Sequence, residues 1–209
     1  MIKTIVTSEM GRDIAAAHGV ETIDTLTGFK YISEWIKKFE ETGERSFLLG
    51  YEESYGYLIR DFARDKDAIQ TCLLIAEVAA YYKTKNQTLF EGLEELYETY
   101  GYYLECLKSL TLKGKDGLEQ MGAILSDFRN NPPQKIAGRN VLVIEDYLSG
   151  VRTFTESGNQ EEITLPTSNV LKSKLENGAW VCVRPSGTEP KIKFYFGVKE
   201  NSLQESMGL

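Results

Sequence analysis

The residues from Arg184 to Lys193 combine groups that could bind a phosphate. Arg184 supplies a guanidinium that can hold two oxygens at once, and Ser186 and Thr188 supply hydroxyls. Gly187 leaves backbone amides free to form a nest around the remaining oxygens. Lys193 adds a cation on the following strand, and the segment holds three positive residues against one negative. A proline-bracketed turn with solvated charges remains the alternative interpretation.

A second group of polar residues follows an apolar strand predicted over residues 46–49. If the segment after it is extended, Glu52 and Ser54 point to the same side and could grip vicinal sugar hydroxyls. The alternative is the start of a helix with acidic residues near its positive end. Lys66 either faces solvent or reaches into a cleft beside Glu52.

The elements that would position these groups change character near residue 101. Before it, β-branched runs alternate with helical patterns, as at Ile2–Val6 and Phe29–Phe39, which predicts a layered α/β domain over residues 1–101. The stretch from Asp67 to Tyr82 is apolar almost all round and predicts a helix covered on more than one side. Thr88 and Glu91 form a capping-box pattern at the start of the next helix.

The second half predicts a smaller α+β domain over residues 102–209. One helix pattern, ending at Asn131, stands among four or five strands, which favours an antiparallel sheet. Asn177 and Gly178 lie between two extended runs and predict a hairpin. The polar stretch from Gly150 to Glu162 has no period and is predicted to be a loop. A helix start at Ser202 lies so near the end that we expect this domain's last helix to be truncated.

Composition excludes several classes of protein. The 209 residues contain 24 Lys plus Arg against 31 Asp plus Glu, and the net charge of −7 disfavours nucleic-acid binding. No apolar stretch approaches the roughly 20 residues that span a bilayer. The first residues lack a secretory signal, so we expect a cytoplasmic location. With one histidine, the three cysteines indicate neither a zinc site nor a disulfide, and we expect buried thiols.

Four segments in this order resemble motifs of the α-D-phosphohexomutases, and most closely those of the phosphoglucomutase branch with its phosphomannomutase relatives. They are Thr27–Lys30, similar to a T-G-[FWH]-K turn; Gly50–Gly56, similar to a G-E-x-S sugar loop but with Tyr51 inserted; Arg64–Asp67, similar to R-[DE]-K-D; and Arg184–Thr188, similar to an R-x-S-G-T phosphate loop. The resemblance covers nearly the whole chain as the C-terminal half of such an enzyme.

The resemblance implies domains three and four of this family, the first incomplete at its N-terminus and the second with a TATA-box-binding-protein-like fold. It implies transfer of a phosphoryl group between O1 and O6 of glucose, with glucose 1,6-bisphosphate as intermediate and activator. Gly28 and Lys30 would line the cleft with Glu52 and Ser54, and Lys66 would be catalytic, near the reacting hydroxyl. Arg184, Ser186, Gly187, Thr188 and Lys193 would hold the other phosphate.

The family's phosphoserine loop, T-A-S-H-N-P, and magnesium loop, D-G-D-x-D-R, do not occur in this sequence. The resemblance places both loops, and with them the Mg²⁺ of the parent enzyme, in domains one and two, which would be partners of this chain. We therefore expect the chain alone to be inactive and to bind a phosphosugar at most weakly. A phosphomannomutase fragment, a non-catalytic phosphosugar-binding module and a structural interaction module remain alternatives.

Overall fold

The structure is a computed structural model that describes residues 1–112, 115–186 and 191–208. The chain divides into two compact units, Met1–Tyr102 and Tyr103–Leu209. Within the described ranges, no helix has both the length and the apolar composition needed to cross a membrane.

The first unit alternates strands and helices, as predicted for a layered α/β domain. Its elements are β1 (Ile2–Thr4), α1 (Met10–Ala17), β2 (Ile23–Thr25), α2 (Phe29–Thr42), β3 (Leu49–Tyr51), β4 (Tyr57–Ile59), α3 (Ala68–Thr84) and α4 (Leu89–Tyr100). The strand order is β2-β1-β3-β4. Strand β1 is parallel to both β2 and β3, and β4 returns antiparallel to β3. The carboxyl ends of the three parallel strands therefore share one edge of the sheet.

Helix α2 packs one face of this sheet because its apolar residues recur at three- and four-residue steps. Ile32 and Ile36 are fully buried in a cluster with Ile2 and Leu58 from the strands. The helix ends at Gly43, whose φ of 65° is the left-handed conformation that glycine adopts without strain. The predicted helix over Phe29–Phe39 is confirmed.

Strand β3 begins three residues later than predicted, at Leu49 instead of Ser46. The sheet contact with β1 is made by Gly50, which lies opposite Ile2. A Cβ at Gly50 would lie 2.6 Å from Cγ2 of Ile32, so only glycine fits under α2 at this point. Phe47 reaches the same core from outside the strand. The apolar run therefore indicates burial correctly but not the register of pairing.

The prediction that α3 is covered on more than one side is wrong. The helix forms, and Asp67 caps it by accepting a hydrogen bond from the Gln70 amide at 2.8 Å. However, Ile69 is 86% exposed and Leu73 is 64% exposed. Apolar composition predicts burial only where other elements cover the helix, and the contacts of α3 with β4 and α4 leave most of its side chains exposed. By contrast, the capping box predicted at the start of α4 is confirmed.

The second unit contains more strands than predicted. Its elements are β5 (Tyr102–Thr111), α5 (Lys115–Asn130), β6 (Lys135–Ile136), β7 (Arg139–Asp146), β8 (Val151–Phe154), β9 (Gln160–Glu162), β10 (Leu171–Leu175), β11 (Trp180–Pro185), β12 (Lys191–Glu200) and α6 (Leu203–Met207). The order is β5-β12-β11-β10-β7-β8-β9, with β6 beside β7, and the pairs from β6 to β12 are antiparallel. Met121 and Leu125 of α5 pack against Val183 and Ile192, which gives the predicted α+β arrangement.

Three local predictions have different outcomes in this unit. The hairpin is confirmed, since β10 and β11 are joined through Asn177 and Gly178, both with positive φ. The loop predicted over residues 150–162 is wrong, because it contains β8 and β9. The residues of β9 are all exposed, so no apolar alternation marks the strand in the sequence.

The prediction of buried cysteines holds for Cys182, while Cys72 and Cys106 are exposed.

A buried polar network lies at the carboxyl end of β1. Lys3 is fully buried, and its ammonium lies 3.1 Å from Glu9 and 3.2 Å from Asp24. The hydroxyl of Thr4 lies 2.7 Å from that of Thr7 and donates a hydrogen bond at 3.0 Å to the carboxylate of Glu53. Glu53 belongs to the turn between β3 and β4, so this bond ties the turn to the end of β1.

We predict that Thr4→Val loosens this turn. The change removes the hydroxyl at nearly constant volume and leaves the Glu53 carboxylate without that donor. Losing a hydrogen bond to a charged group costs about 1.5 kcal/mol, which is roughly tenfold faster opening of the turn. Hydrogen exchange at the Glu52 amide, which donates to the Gly56 carbonyl, reports this opening.

Thr25→Val is the matched control for this prediction. Thr25 is equally buried, but its hydroxyl donates hydrogen bonds to the backbone carbonyls of Lys3 and Leu26 and not to a residue of the turn. Amide exchange at Glu52 should therefore stay at the wild-type rate. Equal acceleration in both variants would show that general destabilisation, and not the bond to Glu53, controls the turn.

Candidate functional site

The turn between β3 and β4 holds a buried carboxylate. Glu52 is 8% exposed and accepts a hydrogen bond at 3.0 Å from the amide of Gly28. Its own amide donates to the Gly56 carbonyl at 2.9 Å and closes the turn. The segment is neither the extended one from which a shared side for Glu52 and Ser54 was predicted nor a helix start. Ser54 is exposed in the turn.

Gly28 brings a second predicted segment to this carboxylate. It precedes α2 with φ 118°, a conformation that side-chain-bearing residues rarely adopt. The amide of Gly28 thus points at Glu52, at the positive end of the helix dipole. Lys30 follows in the first turn of α2, is exposed, and lies with its ammonium 4.6 Å from the Tyr31 ring centre.

Lys66 lies beside the same carboxylate. A Cβ at Gly56 would be 2.8 Å from Cδ of Lys66 and 3.0 Å from Oε2 of Glu52, so both side chains pack against the glycine. The Lys66 ammonium donates to Asp65 at 3.1 Å and lies 5.7 Å from the ring centre of Phe29. The structure therefore brings Gly28, Glu52 and Lys66 together from three separate segments.

The segments that carry Gly28 and Lys66 border an open cleft of about 630 Å³. It is lined by Gly28, Phe29, Lys30, Ser33, Glu34, Lys37, Arg64, Asp65 and Lys66. Four of these residues are cationic and two are acidic, so the cleft favours an anionic ligand although the whole chain is acidic. The sequence analysis did not single out Ser33 or Lys37. Ser33 and Lys37 lie three and seven residues after Lys30 on α2. This helical spacing could have identified them from the sequence.

The environment of Glu52 raises the pKa of its carboxyl group. Burial is the main cause, and the nearby charge of Glu53 adds to it. The Gly28 amide and the Lys66 charge act in the opposite direction. A carboxyl group with a raised pKa next to a cation in a cleft is a feature that occurs often at functional sites. Such a group can accept hydrogen bonds from ligand hydroxyls once it is ionised.

The second unit places Arg184 near the end of β11. Its Nε donates at 3.4 Å to the hydroxyl of Tyr195, and its guanidinium carbon lies 5.8 Å from the centre of that ring. The bond to Tyr195 does not use the terminal nitrogens of Arg184. Lys193 lies opposite Arg184 on β12, so both side chains leave the same face of the sheet. The sequence did not lead us to predict Tyr195 as part of this group. Its position two residues after Lys193 nevertheless predicts that its side chain lies on the same face of the sheet.

Of the remaining phosphate-loop residues, only Ser186 is described. Its amide donates to the Lys191 carbonyl at 2.7 Å, across the hairpin between β11 and β12. Gly187 and Thr188 lie outside the described residues. A ring of donors around a phosphate therefore stays a prediction for this loop.

The part of the chain that the structure describes does not fit a magnesium ion. Across the described ranges, no group of three or more His, Cys, Asp or Glu side chains is placed to hold a metal. Of the two acidic residues that line the cleft, Asp65 is already paired with Lys66.

Comparison with known proteins gives the same family for both units. Residues 1–100 match the family description "Phosphoglucomutase/phosphomannomutase, alpha/beta/alpha domain III", and residues 111–206 match "Phosphoglucomutase/phosphomannomutase, C-terminal domain". The chain is 38% identical over 205 residues to the phosphoglucomutase of Staphylococcus haemolyticus and 40% identical to that of Staphylococcus saprophyticus. Each match covers 98% of this chain, and the chain spans 37% of the length of either relative.

Solved structures agree on the fold. Parafusin of Paramecium, a phosphoglucomutase in its open form, superposes with a TM-score of 0.66 at 18% identity, covering 99% of this chain and 35% of that one. A phosphoglucomutase/phosphomannomutase family protein of Burkholderia thailandensis gives a TM-score of 0.53 at 14% identity, covering 99% and 36%. The protein belongs to the phosphoglucomutase/phosphomannomutase family, of which this chain carries domain III and the C-terminal domain.

Proposed function

We propose that the chain is the phosphosugar-binding half of a phosphoglucomutase, which interconverts glucose 1-phosphate and glucose 6-phosphate through glucose 1,6-bisphosphate. The observation that carries this proposal is the hydrogen bond from the Gly28 amide to Glu52, with Lys66 beside it. It joins three of the four segments that resemble the family, and two of these, Thr27–Lys30 and Arg64–Asp67, contribute residues to the basic cleft. The names of the Staphylococcus relatives support glucose as the sugar.

Each proposed role follows from the chemistry of the group. The Glu52 carboxylate accepts hydrogen bonds from sugar hydroxyls, and the exposed Ser54 hydroxyl can donate or accept next to it. Lys66 is the proposed catalytic residue, since an ammonium near the reacting hydroxyl stabilises negative charge as the phosphoryl group moves. Gly28 holds Glu52 in place, and Lys30 adds positive charge at the cleft.

The proposed phosphate site lies in the second unit. Arg184 offers its terminal nitrogens to two phosphate oxygens, because Tyr195 engages only Nε. Lys193 adds charge from the same face of the sheet. Ser186, Gly187 and Thr188 complete the proposed loop with hydroxyls and amides. This site would hold the phosphate that does not react.

The transferring groups belong to other parts of the proposed enzyme. The strings T-A-S-H-N-P and D-G-D-x-D-R are absent from the 209 residues, and we propose that domains one and two supply the phosphoserine and the Mg²⁺. Phosphoryl transfer depends on a positioned nucleophile and on charge neutralisation at the transferring group. We place the enzyme in the cytoplasm, where two exposed free thiols such as Cys72 and Cys106 stay reduced.

Arg184→Ala tests the phosphate site. Titration of glucose 1-phosphate into the 209-residue chain, followed by amide chemical shifts, should give a millimolar Kd that weakens at least tenfold in the variant. Arg45→Ala is the control, because it removes the same charge from an exposed ion pair with Glu21 in the first unit. Glucose without phosphate should bind neither variant measurably. Equal affinity in wild type and Arg184→Ala would contradict the assigned role.

The protonation of Glu52 gives a pH-dependent test of the environment of its carboxyl group. Because its pKa is raised, the folded state binds the proton more tightly than the unfolded chain. The stability that Glu52 contributes is therefore present below the ordinary pKa of about 4.3 and is lost as pH rises through the folded pKa. Glu52→Gln should thus gain stability relative to wild type in urea unfolding as pH rises above about 4.3. A constant difference between the two proteins would show that this carboxyl group has an ordinary pKa.

The chain alone should leave glucose 1-phosphate unconverted. It contains the binding groups but neither of the two transfer loops, so added Mg²⁺ and glucose 1,6-bisphosphate should not restore turnover. A coupled assay for glucose 6-phosphate measures this, with a full-length relative as positive control. Turnover that persists after repeated purification, and falls in Lys66→Ala, would overturn the division of roles.

A further inference from the structure

The turn between β3 and β4 is a hairpin loop of three residues. The Glu52 amide donates to the Gly56 carbonyl at 2.9 Å, so Glu53, Ser54 and Tyr55 form the loop of this antiparallel pair. In three-residue hairpin loops the third residue commonly adopts the left-handed conformation, which favours glycine. Tyr55 occupies this third position with a φ of 64°. A tyrosine therefore stands where the backbone of the loop favours glycine.

Packing within the described residues does not offset this backbone conformation. The side chain of Tyr55 is 86% exposed. By contrast, Tyr51 and Tyr57 at the base of the same hairpin stack their rings on each other, with ring centres 6.3 Å apart. A bulky residue held in a disfavoured conformation, with its ring in solvent, indicates a contact that forms only when a ligand is present.

The residues next to Tyr55 define the chemistry of that ligand. Oε1 of Glu52 accepts the Gly28 amide, while Oε2 lies beside Gly56, since a Cβ there would be 3.0 Å from this oxygen. The second carboxylate oxygen thus lies against the residue that directly follows Tyr55. Ser54, which directly precedes it, presents an exposed hydroxyl. Hydrogen-bonding groups next to an exposed ring suit a sugar, which has hydroxyls around its edge and C–H groups on its faces.

We propose that Tyr55 is a substrate-binding residue whose ring packs against the C–H face of the sugar while Glu52 and Ser54 bind its hydroxyls. This inference rests on the proposed phosphosugar binding and adds an apolar contact to the polar ones. Tyrosine suits the role because it offers a large, rigid contact area at a low cost in side-chain entropy. Its own hydroxyl can stay in water.

The loop is fixed before a ligand binds. The Glu53 carboxylate accepts a hydrogen bond from the Thr4 hydroxyl at 3.0 Å, and Glu52 is held by the Gly28 amide. Two of the five residues from 52 to 56 are therefore tied to other segments of the first unit. A ring carried on such a loop is presented with little further ordering, which favours affinity.

Tyr55→Gly separates the backbone conformation from the ring contact. Glycine adopts the left-handed conformation readily, so urea unfolding should show a folding equilibrium constant about fivefold higher than that of wild type. Loss of the ring should weaken the Kd for glucose 1-phosphate about fivefold. This variant should therefore be more stable and yet bind less tightly. Tyr55→Phe keeps the ring and should recover most of the lost affinity.

Ala137→Gly is the matched control. Ala137 also has a positive φ, 49°, and lies in the turn between β6 and β7 of the second unit. The change relieves that backbone without altering charge or aromatic content, so stability should rise while the Kd for glucose 1-phosphate stays at the wild-type value. Inorganic phosphate, which has no sugar ring, should bind wild type and Tyr55→Gly equally.

Nuclear magnetic resonance of the ligand detects the ring contact directly. The ring current of an aromatic side chain should shift the C–H protons of bound glucose 1-phosphate upfield in wild type and in Tyr55→Phe. The shift should be lost in Tyr55→Gly. A residue that only stabilised the loop would change the affinity without producing this shift.

Several outcomes would overturn the role of Tyr55. They are an unchanged Kd in Tyr55→Gly, an equal loss of affinity for inorganic phosphate, ligand shifts that persist without the ring, and a loss of stability in Tyr55→Gly. If Arg184→Ala weakens binding of glucose 1-phosphate and Tyr55→Gly does not, the proposed function stands and the role of Tyr55 fails. If the wild-type chain binds no glucose 1-phosphate, both proposals fail.

Discussion

A buried ammonium at the end of β1 constrains the arrangement of the first unit. Lys3 is fully buried, and an unpaired charge in that position would be strongly destabilising. The carboxylates of Glu9 and Asp24 balance it, one before α1 and the other in β2. The beginning of α1 and the strand β2 must therefore meet the end of β1. The Thr7 carbonyl accepts a further bond from the same ammonium at 3.2 Å and fixes the connection between them.

This constraint extends to the candidate site through neighbouring residues. Thr4 follows Lys3 and bonds Glu53, while the adjacent Glu52 takes the amide of Gly28. The turn that carries both glutamates is thus held from the end of β1 and from the start of α2. Parallel strands bring such connections to one edge, which is where α/β sheets commonly bind ligands. The position of Glu52 thus depends on residues that need not touch a ligand themselves.

The sequence predicts the elements whose signals are local. The apolar steps of α2, the capping box of α4 and the Asn177–Gly178 hairpin all form as expected, since each depends on residues a few positions apart. The start of β3 was not predicted, because it depends on pairing with β1, which is distant in the chain. The edge strand β9 was not predicted, because its residues are all exposed and show no apolar alternation. At the candidate site, the sequence predicted roles for Glu52 and Lys66, which the fold brings together. The bonds of Glu53 to Thr4 and of Tyr195 to Arg184 are contacts that only the folded chain defines.

The failed prediction for α3 has a physical explanation. Apolar residues are retained where a protein buries them, whichever part of the polypeptide supplies the cover. A sequence that is apolar all round, such as that of α3, predicts burial, but β4 and α4 contact only part of this helix, and Ile69 and Leu73 stay exposed. Composition therefore indicates that a helix can be covered, but not which of its sides the fold covers, because that depends on the elements placed against it.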